Sequence, residues 1–458
     1  MKKNFAIVGG GSVNWCPTLI RDIYHIACLE GGEFRLLDPD EPALQLIASL
    51  EPLYNRISGK EFRLVPVGSL DEAVAGADFT LCTFSPGSLS AYYYDLEVPI
   101  AYGVRQPVSM TVGPCAISAA MRTCPVANEV AQAVEKHAPG TWILNVTNPM
   151  SCVTRALNLG VKTVKVVGLC HELEGEIRFV GDILGVPKPE EQRTLDYIRQ
   201  TFDLQVAGLN HFIWITRLFA DGRDRYDDLR AFADTHEAWY PGNDPSKAET
   251  KSSWGNNKEA KLEMCRAFRH MPMAGDRHLI EFFPGFCNAH NRFGQDYGVR
   301  KTTMRERFEL KAKATERVRR WVAGEEEVPW MRSSEQTADI IETVLTGGKA
   351  RFNMNLPNRG QIDNVPAEVV VESISEVSAE GLHPLHVGPL PEPVGAIVRN
   401  HIEAQELTVQ AALEGSRKKM LDAMYVDPLC GQVEFRNLPK LADELLEANR
   451  EFLPRVFG

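Results

Sequence analysis

The sequence predicts an α/β fold: a doubly wound parallel sheet over residues 1–195, followed by an interlocked α+β domain over 196–458. Three observations carry that expectation. The apolar run Asn4 to Val8 ends in Gly9-Gly10-Gly11-Ser12 and leads into a helical pattern. Strand-like and helix-like segments then alternate as far as the run Lys165 to Leu169. Beyond Gly185-Val186-Pro187-Lys188-Pro189, a stretch of turn formers, that alternation is lost.

Taken in order, Asn4 to Val8 reads as a strand buried on both faces. After the glycines, Val13-Asn14-Trp15 opens a helix running to about Cys28, and a second strand, Phe34 to Leu37, ends in Asp38-Pro39-Asp40. This is a βαβ unit of the Rossmann-like kind. Gly9 and Gly11 supply a G-x-G turn, with Asn14 where a third glycine would stand. Bare glycines let the backbone N–H groups around Gly9, Gly11 and Ser12 approach a pyrophosphate. Asp38 or Asp40 can accept hydrogen bonds from a ribose diol, and an acid rather than an arginine there favours NAD over NADP.

Leu70 to Ala75 then reads as a helix and Phe79 to Phe84 as a strand. The turn Ser85-Pro86-Gly87-Ser88-Leu89 lies at that strand's C-terminal end, where open α/β sheets bind ligands, so Ser85 joins the cofactor candidates. Thr111-Val112-Gly113-Pro114 precedes a long helical pattern, Ala116 to Lys136. The next strand, Trp142 to Thr147, stops at Asn148-Pro149, and after one more helix Lys165 to Leu169 delivers Cys170 and His171.

In the second half, Leu204 to Gly208 and Phe212 to Arg217 read as strands flanking His211. Residues 221–261 read as a polar excursion. Met273 to Phe282 places Asp276, Arg277, His278 and Glu281 in an apolar neighbourhood, and Asn353 to Gln361 reads as an amide-rich turn before a strand, Glu368 to Glu372. The last hundred residues read as mostly helical.

Composition narrows the function. The chain is 44% hydrophobic and 24% charged with a formal net charge of −11, which argues against the basic field a nucleic-acid surface needs. No run approaches the roughly 18 uninterrupted apolar residues of a membrane span. The amino-terminal residues show no signal core, and the ten cysteines follow no disulfide framework, so the expectation is a cytoplasmic protein with reduced thiols.

Cys170 and His211, each at the end of a strand-like run, form the expected metal pair. Two ligands and open positions suit a catalytic Mn²⁺ or Mg²⁺ rather than a structural zinc, which takes four N or S ligands. The plainer alternatives are a buried thiol for Cys170, a core histidine for His211, a capping residue for His171, a solvated ion-pair face for Asp276, Arg277 and Glu281, and surface pairing for Arg105 and Arg122. From the residues alone, a dinucleotide domain with a metal and histidine site points to an NAD-dependent hydroxy-acid dehydrogenase.

Further motifs change that reading. Together with the glycine turn, Tyr102-Gly103-Val104 through Gly113-Pro114, Thr147-Asn148-Pro149, Gly168-Leu169-Cys170-His171 and Gly208-Leu209-Asn210-His211 resemble family 4 of the glycoside hydrolases, the NAD- and manganese-dependent glycosidases, across nearly the whole chain. Cys170-His171-Glu172-Leu173, Ala274 to Leu279 and Asn355 to Gln361 resemble its α-galacturonidase branch, with departures at Leu173 and Cys115-Ala116. Within the same family, α-galactosidase and α-glucuronidase are the alternative activities.

The resemblance implies hydride removal from C3 of the sugar by NAD⁺, loss of the C2 proton, elimination of the C1 aglycone, addition of water and return of the hydride. It also implies roles for individual residues. Cys170 and His211 ligate the ion, Asn148 holds sugar hydroxyls, and His171 is the leaving-group acid. His278, with Asp276 as the alternative, is the C2 base in a stretch that lacks the tyrosine of several relatives. Arg277, then Arg105 or Arg292, holds a uronate carboxylate. The expected partners are a small α-glycoside or α-uronide and further copies of the chain in a homodimer or homotetramer, with no nucleic acid and no membrane.

Overall fold

The computed structural model of the chain describes residues 1–236 and 258–457. Its first half is built on β1 (Lys2–Val8), β2 (Gly31–Leu37), β3 (Glu61–Pro66), β4 (Phe79–Cys82), β5 (Trp142–Asn145) and β6 (Lys165–Gly168), all parallel in the spatial order β3-β2-β1-β4-β5-β6. Phe5, Ala6 and Ile7 of β1 are fully buried because helices cover both faces of the sheet, which is why the strand reads as continuous apolar sequence. The strand order reverses between β1 and β4, and that reversal opens a crevice at their C-terminal ends. β3 was not read from the sequence: its Glu61 and Arg63 are exposed on the sheet's edge and break the apolar run.

The sheet does not stop at the expected junction near residue 195. β7 (Phe202–Leu209), β8 (Phe212–Ala220), β9 (Arg223–Asp224), β10 (Lys349–Pro357), β11 (Val370–Ser378) and β12 (Gly381–Pro384) extend it antiparallel. β10 joins β6 through the pair Asn355 and Gly168, and the order continues β10-β11-β7-β8-β9, with β12 on β11, to twelve strands among the described residues.

Two readings are corrected here. Asn353 to Pro357 is not a turn but the end of β10. Phe352, Met354 and Leu356 are buried apolar residues on one face, and Asn353 and Asn355 alternate on the other, where their side-chain N–H groups donate to Glu372. The polar stretch 221–261 contains the helices Tyr226–Thr235 and, at its end, Glu259–Phe268, while its residues 237–257 lie outside the described part.

The carboxy-terminal helices fold back over the first half. Val409, Ala411, Met420 and Leu441 share one apolar cluster with Ala6, Val8, Ile117 and Met121. Helix Gly113–His137 is therefore buried along most of its length, between the sheet and helix Glu392–Glu414. All ten cysteines are free, and no helix among the described residues is long and apolar enough to cross a membrane.

Candidate active site

The crevice has a nucleotide end and a chemical end. At the nucleotide end, Gly9 leaves β1 with φ +93°, and a Cβ there would lie 2.5 Å from the Phe84 nitrogen. A Cβ on Gly11 would meet the Asp38 carboxyl at 3.1 Å. The turn is thus kept bare by its own neighbours, and a bare turn is what close approach of a pyrophosphate requires. Asp38 Oδ2 accepts the Gly11 N–H at 3.1 Å and Oδ1 accepts the Asp40 N–H at 3.0 Å, so this acid is fixed beside the turn. Asp40 instead accepts the Ala43 N–H at 3.2 Å and caps helix Glu41–Ala48. Ser12 is half-buried within the turn, and Ser85 is exposed beyond β4, across the crevice from it. Asp38→Ala should weaken dinucleotide binding by about tenfold or more, the effect of losing charge-assisted hydrogen bonds, as read by fluorescence titration with NAD⁺.

At the chemical end, the two-residue turn Asn210-His211 joins β7 to β8 and holds His211 at φ +62°. His211 Nδ1 lies 2.6 Å from Thr111 Oγ1, which leaves Nε2 free for a ligand. The His211 ring stacks on His278 at 3.9 Å between centroids with 28° between planes. His278 Nε2 is 3.4 Å from Glu172 Oε1, and Glu172 Oε2 accepts the Gly275 N–H at 2.7 Å. Ligand atoms of Glu172, His211 and His278 lie within 4.8 Å of one another. Burial, reinforced by His278, holds the His211 pKa well below its ordinary value, so the ring is neutral with a lone pair to give. Burial works against ionising Glu172, but His278 and the Gly275 N–H overcome it and hold the carboxyl well below the usual range. A carboxylate and the neutral His211 nitrogen are donors that suit a divalent ion of the manganese or magnesium type.

The structure therefore groups His211 with Glu172 and His278. Cys170 stands beside this group, half-buried, with its thiol pKa pushed well above the ordinary value by burial and by Glu372 and Glu172. It is tied to His211 indirectly, through the Asn210 side chain. Asn210 also donates to Glu372 at 2.8 Å, and Asn355 donates to the same carboxylate at 3.2 Å. Glu372 is fully buried and pushed up to about 7 by that burial. It links the turn carrying His211 to β10, which pairs with the end of β6.

The other expected residues divide. His171 is half exposed, lies 5.9 Å from the Trp15 ring beside the glycine turn, and places its Nδ1 3.2 Å from Glu335. That hydrogen bond pushes its pKa up to about 9. Glu335→Gln should bring the His171 titration, followed by NMR, down toward the ordinary imidazole value near ~6.5. The sign follows from linkage: the pair stabilises the fold fully below the unfolded-state pKa and loses that contribution as pH rises through about 9. Asn148 is half-buried at the end of β5, with its Oδ1 accepting the Met150 N–H at 3.1 Å.

Arg277 is buried and donates to Thr302 Oγ1 at 3.0 Å. Asp276 is fully buried and turned toward helix Glu259–Phe268, where it accepts the Ala260 N–H at 3.0 Å, and burial pushes it up to about 6. Its side chain serves that helix start rather than the imidazole cluster. Arg105 is exposed, and Arg292 is half exposed and paired with Asp296 at 2.8 Å. Arg122 is buried against Asp95 and is not on the surface. Thr111, Glu172 and Glu372 received no role from the sequence. Only the alternating asparagines of β10 hinted at a buried acid opposite them.

Against known proteins, the family model described as "Family 4 glycosyl hydrolase" matches residues 4–186, and that of its C-terminal domain matches residues 206–430. An alpha-galacturonidase from Thermoanaerobacterium saccharolyticum is 30% identical over 98% of this chain and 96% of its own. The crystal structure of lplD from Bacillus subtilis superposes with a TM-score of 0.87 at 27% identity, covering 97% of this chain and 100% of that one. The 6-phospho-beta glucosidase of Thermotoga maritima, solved with manganese, NAD⁺ and glucose-6-phosphate, shares the fold with a TM-score of 0.77 at 22% identity, over 98% of this chain and 99% of that one.

Proposed function

This chain belongs to glycosyl hydrolase family 4, and from that membership we propose that it is an α-galacturonidase that works with NAD and a divalent cation. Membership makes it a glycoside hydrolase and removes the hydroxy-acid dehydrogenase that the residues alone pointed to. The observation that carries the finer reading is the imidazole–carboxylate cluster of Glu172, His211 and His278, with the buried Arg277 next in sequence to His278. Ordinary glycosidases need two carboxyl groups astride the bond, and NAD-dependent enzymes of this family are an exception to that pattern.

When bound, the dinucleotide supplies a reversible hydride acceptor for C3, and the cation supplies a Lewis acid for the C2 and C3 oxygens. The chain's own residues do the rest. Gly9, Gly11, Ser12, Asp38 and Ser85 hold the dinucleotide, and Asn148 orients sugar hydroxyls at the end of β5. His211, through Nε2, and Glu172 hold the cation, and Cys170 adds a thiolate from the same turn once a positive charge offsets the burial that now keeps it protonated. His278 is stacked nearly parallel to His211, so both rings cannot aim an in-plane lone pair at one ion. It is left free to take the C2 proton, and its Nδ1 is buried with no hydrogen-bond partner among the described residues. His171, protonated at neutral pH, is placed to give a proton to the leaving oxygen.

The test is hydrolysis of 4-nitrophenyl α-galacturonide with NAD⁺, Mn²⁺ and a reductant in deuterated water. The expected product carries deuterium at C2, and NADH does not accumulate with turnover. Cleavage of the α-galactoside or α-glucuronide but not the galacturonide would sink the substrate assignment, and product without C2 deuterium would sink the mechanism. Thr111→Val, which deletes the partner of His211 Nδ1, should weaken Mn²⁺ binding by about 10–100-fold in calorimetry while the protein stays folded.

A further inference from the structure

Arg307 lies in the first turn of helix Met304–Ala323 and is 8% exposed. A cation is disfavoured at a helix N-terminus, where the macrodipole prefers an anion. No carboxylate among the described residues forms an ion pair with Arg307, and its Nε is buried without a hydrogen-bond partner. Its guanidinium sits 4.6 Å from the Tyr92 ring, and its Nη2 donates to the Val108 carbonyl at 3.3 Å. A buried guanidinium held only by a ring face and one carbonyl is an expensive arrangement unless an anion completes it.

Arg277 is the second cation of this wall and is 4% exposed. Burial and then the positive charge of Arg307 depress its pKa, so the two groups lie within electrostatic reach of one another. Arg277 is also next in sequence to His278, whose ring stacks on that of His211. One backbone segment ties the parts together. Pro107 accepts the N–H of Thr302, whose hydroxyl accepts from Arg277, Val108 accepts from Arg307, and Thr111 holds His211. Glu281, the acid nearest this segment, is occupied by the Val108 and Ser109 N–H groups at 2.7 and 2.8 Å and by Gln106 at 3.2 Å.

We propose that Arg307 and Arg277 form a two-guanidinium seat for the carboxylate of the substrate sugar, and that Arg307 sets the preference for uronides over neutral glycosides. The inference rests on the α-galacturonidase reading above. A carboxylate has lone pairs enough for two guanidinium forks, and it would give the Arg307 guanidinium the anion it lacks among the described residues. The segment 107–111 then couples recognition of the carboxylate to the placement of His211.

The experiment compares wild type, Arg307→Lys and Arg307→Gln, each loaded with NAD⁺ and Mn²⁺, on 4-nitrophenyl α-galacturonide, α-galactoside and 6-phospho-α-galactoside. It adds competitive inhibition by D-galacturonate, and melting curves to confirm folding. In the glutamine variant the galacturonide KM and the galacturonate Ki should both rise roughly ten- to hundredfold, the effect of losing a charge-assisted hydrogen-bonded pair. The galacturonide-to-galactoside ratio of kcat/KM should fall in step. The lysine variant, with charge but no fork, should fall between, and it carries the test if the glutamine variant does not fold. An unchanged Ki, or KM values that rise equally on charged and neutral sugars, would overturn the seat while leaving the galacturonidase reading intact. A wild type that cleaves only the neutral or the phosphorylated sugar would overturn the reading itself, and the carboxylate seat with it.

Discussion

His211→Ala should abolish tight Mn²⁺ binding and lower kcat by roughly a thousandfold or more, the several kcal/mol that a catalytic cation contributes. The size of the effect follows from the site's construction. His211 is 4% exposed and held in place by three independent contacts: Thr111 on Nδ1, the His278 ring on its face, and the chain turn fixed by Asn210 and Glu372. His278 cannot move into its place, because the stack keeps the two ring planes nearly parallel. Titration calorimetry with Mn²⁺ reads the loss directly, and a variant that binds the ion as tightly as wild type would remove His211 from the ligand set. NAD⁺ affinity should change little, since the glycine turn and Asp38 are made by β1 and β2.

The second large effect is expected at Gly9. In Gly9→Ala the new Cβ would sit 2.5 Å from both the Phe84 nitrogen and the Thr83 carbonyl carbon, at φ +93°. Both neighbours are backbone of the chain leaving β4, so neither can swing aside. The substitution should cost about 2–4 kcal/mol of stability, the left-handed conformation adding to the overpacking, and should close the space that the dinucleotide needs. Gly59→Ala is the control. Gly59 has φ +69° but nothing within 4 Å of its Cβ position, so it should lose only the ~1 kcal/mol of the conformational term. Denaturant unfolding of the two variants separates clash from conformation, and equal losses would show that the crowding at Gly9 is not what holds the turn open.

Some parts of the molecule were readable from local pattern and others were not. The strand–glycine–helix unit at the start, and the strands delivering Cys170 and His211, showed themselves because their apolar runs and turn residues are contiguous. β3 and β10 did not, since their strand character is expressed only when a neighbouring strand pairs with them. In β10 the asparagines that mimic a turn are buried amides facing Glu372, which lies on the neighbouring strand β11. Asp38 and Asp40 were equivalent in the sequence, and one hydrogen bond to Gly11 separates them. Asp276 is the alternative to His278 in the sequence, but its carboxyl lies at the start of helix Glu259–Phe268.

The sequence by itself determined the α/β class, the glycine turn and the two strand ends that carry Cys170 and His211, because periodicity, glycine placement and short motifs are properties of neighbours along the chain. Only the tertiary structure decided which side chains meet. It set Glu172 and His278 beside His211, supplied Thr111 and Glu372 as the contacts that orient that histidine, and buried Arg307 against Val108. Those meetings depend on strands added antiparallel beyond β6 and on segments far apart in the numbering, separations over which no local pattern in the sequence carries information.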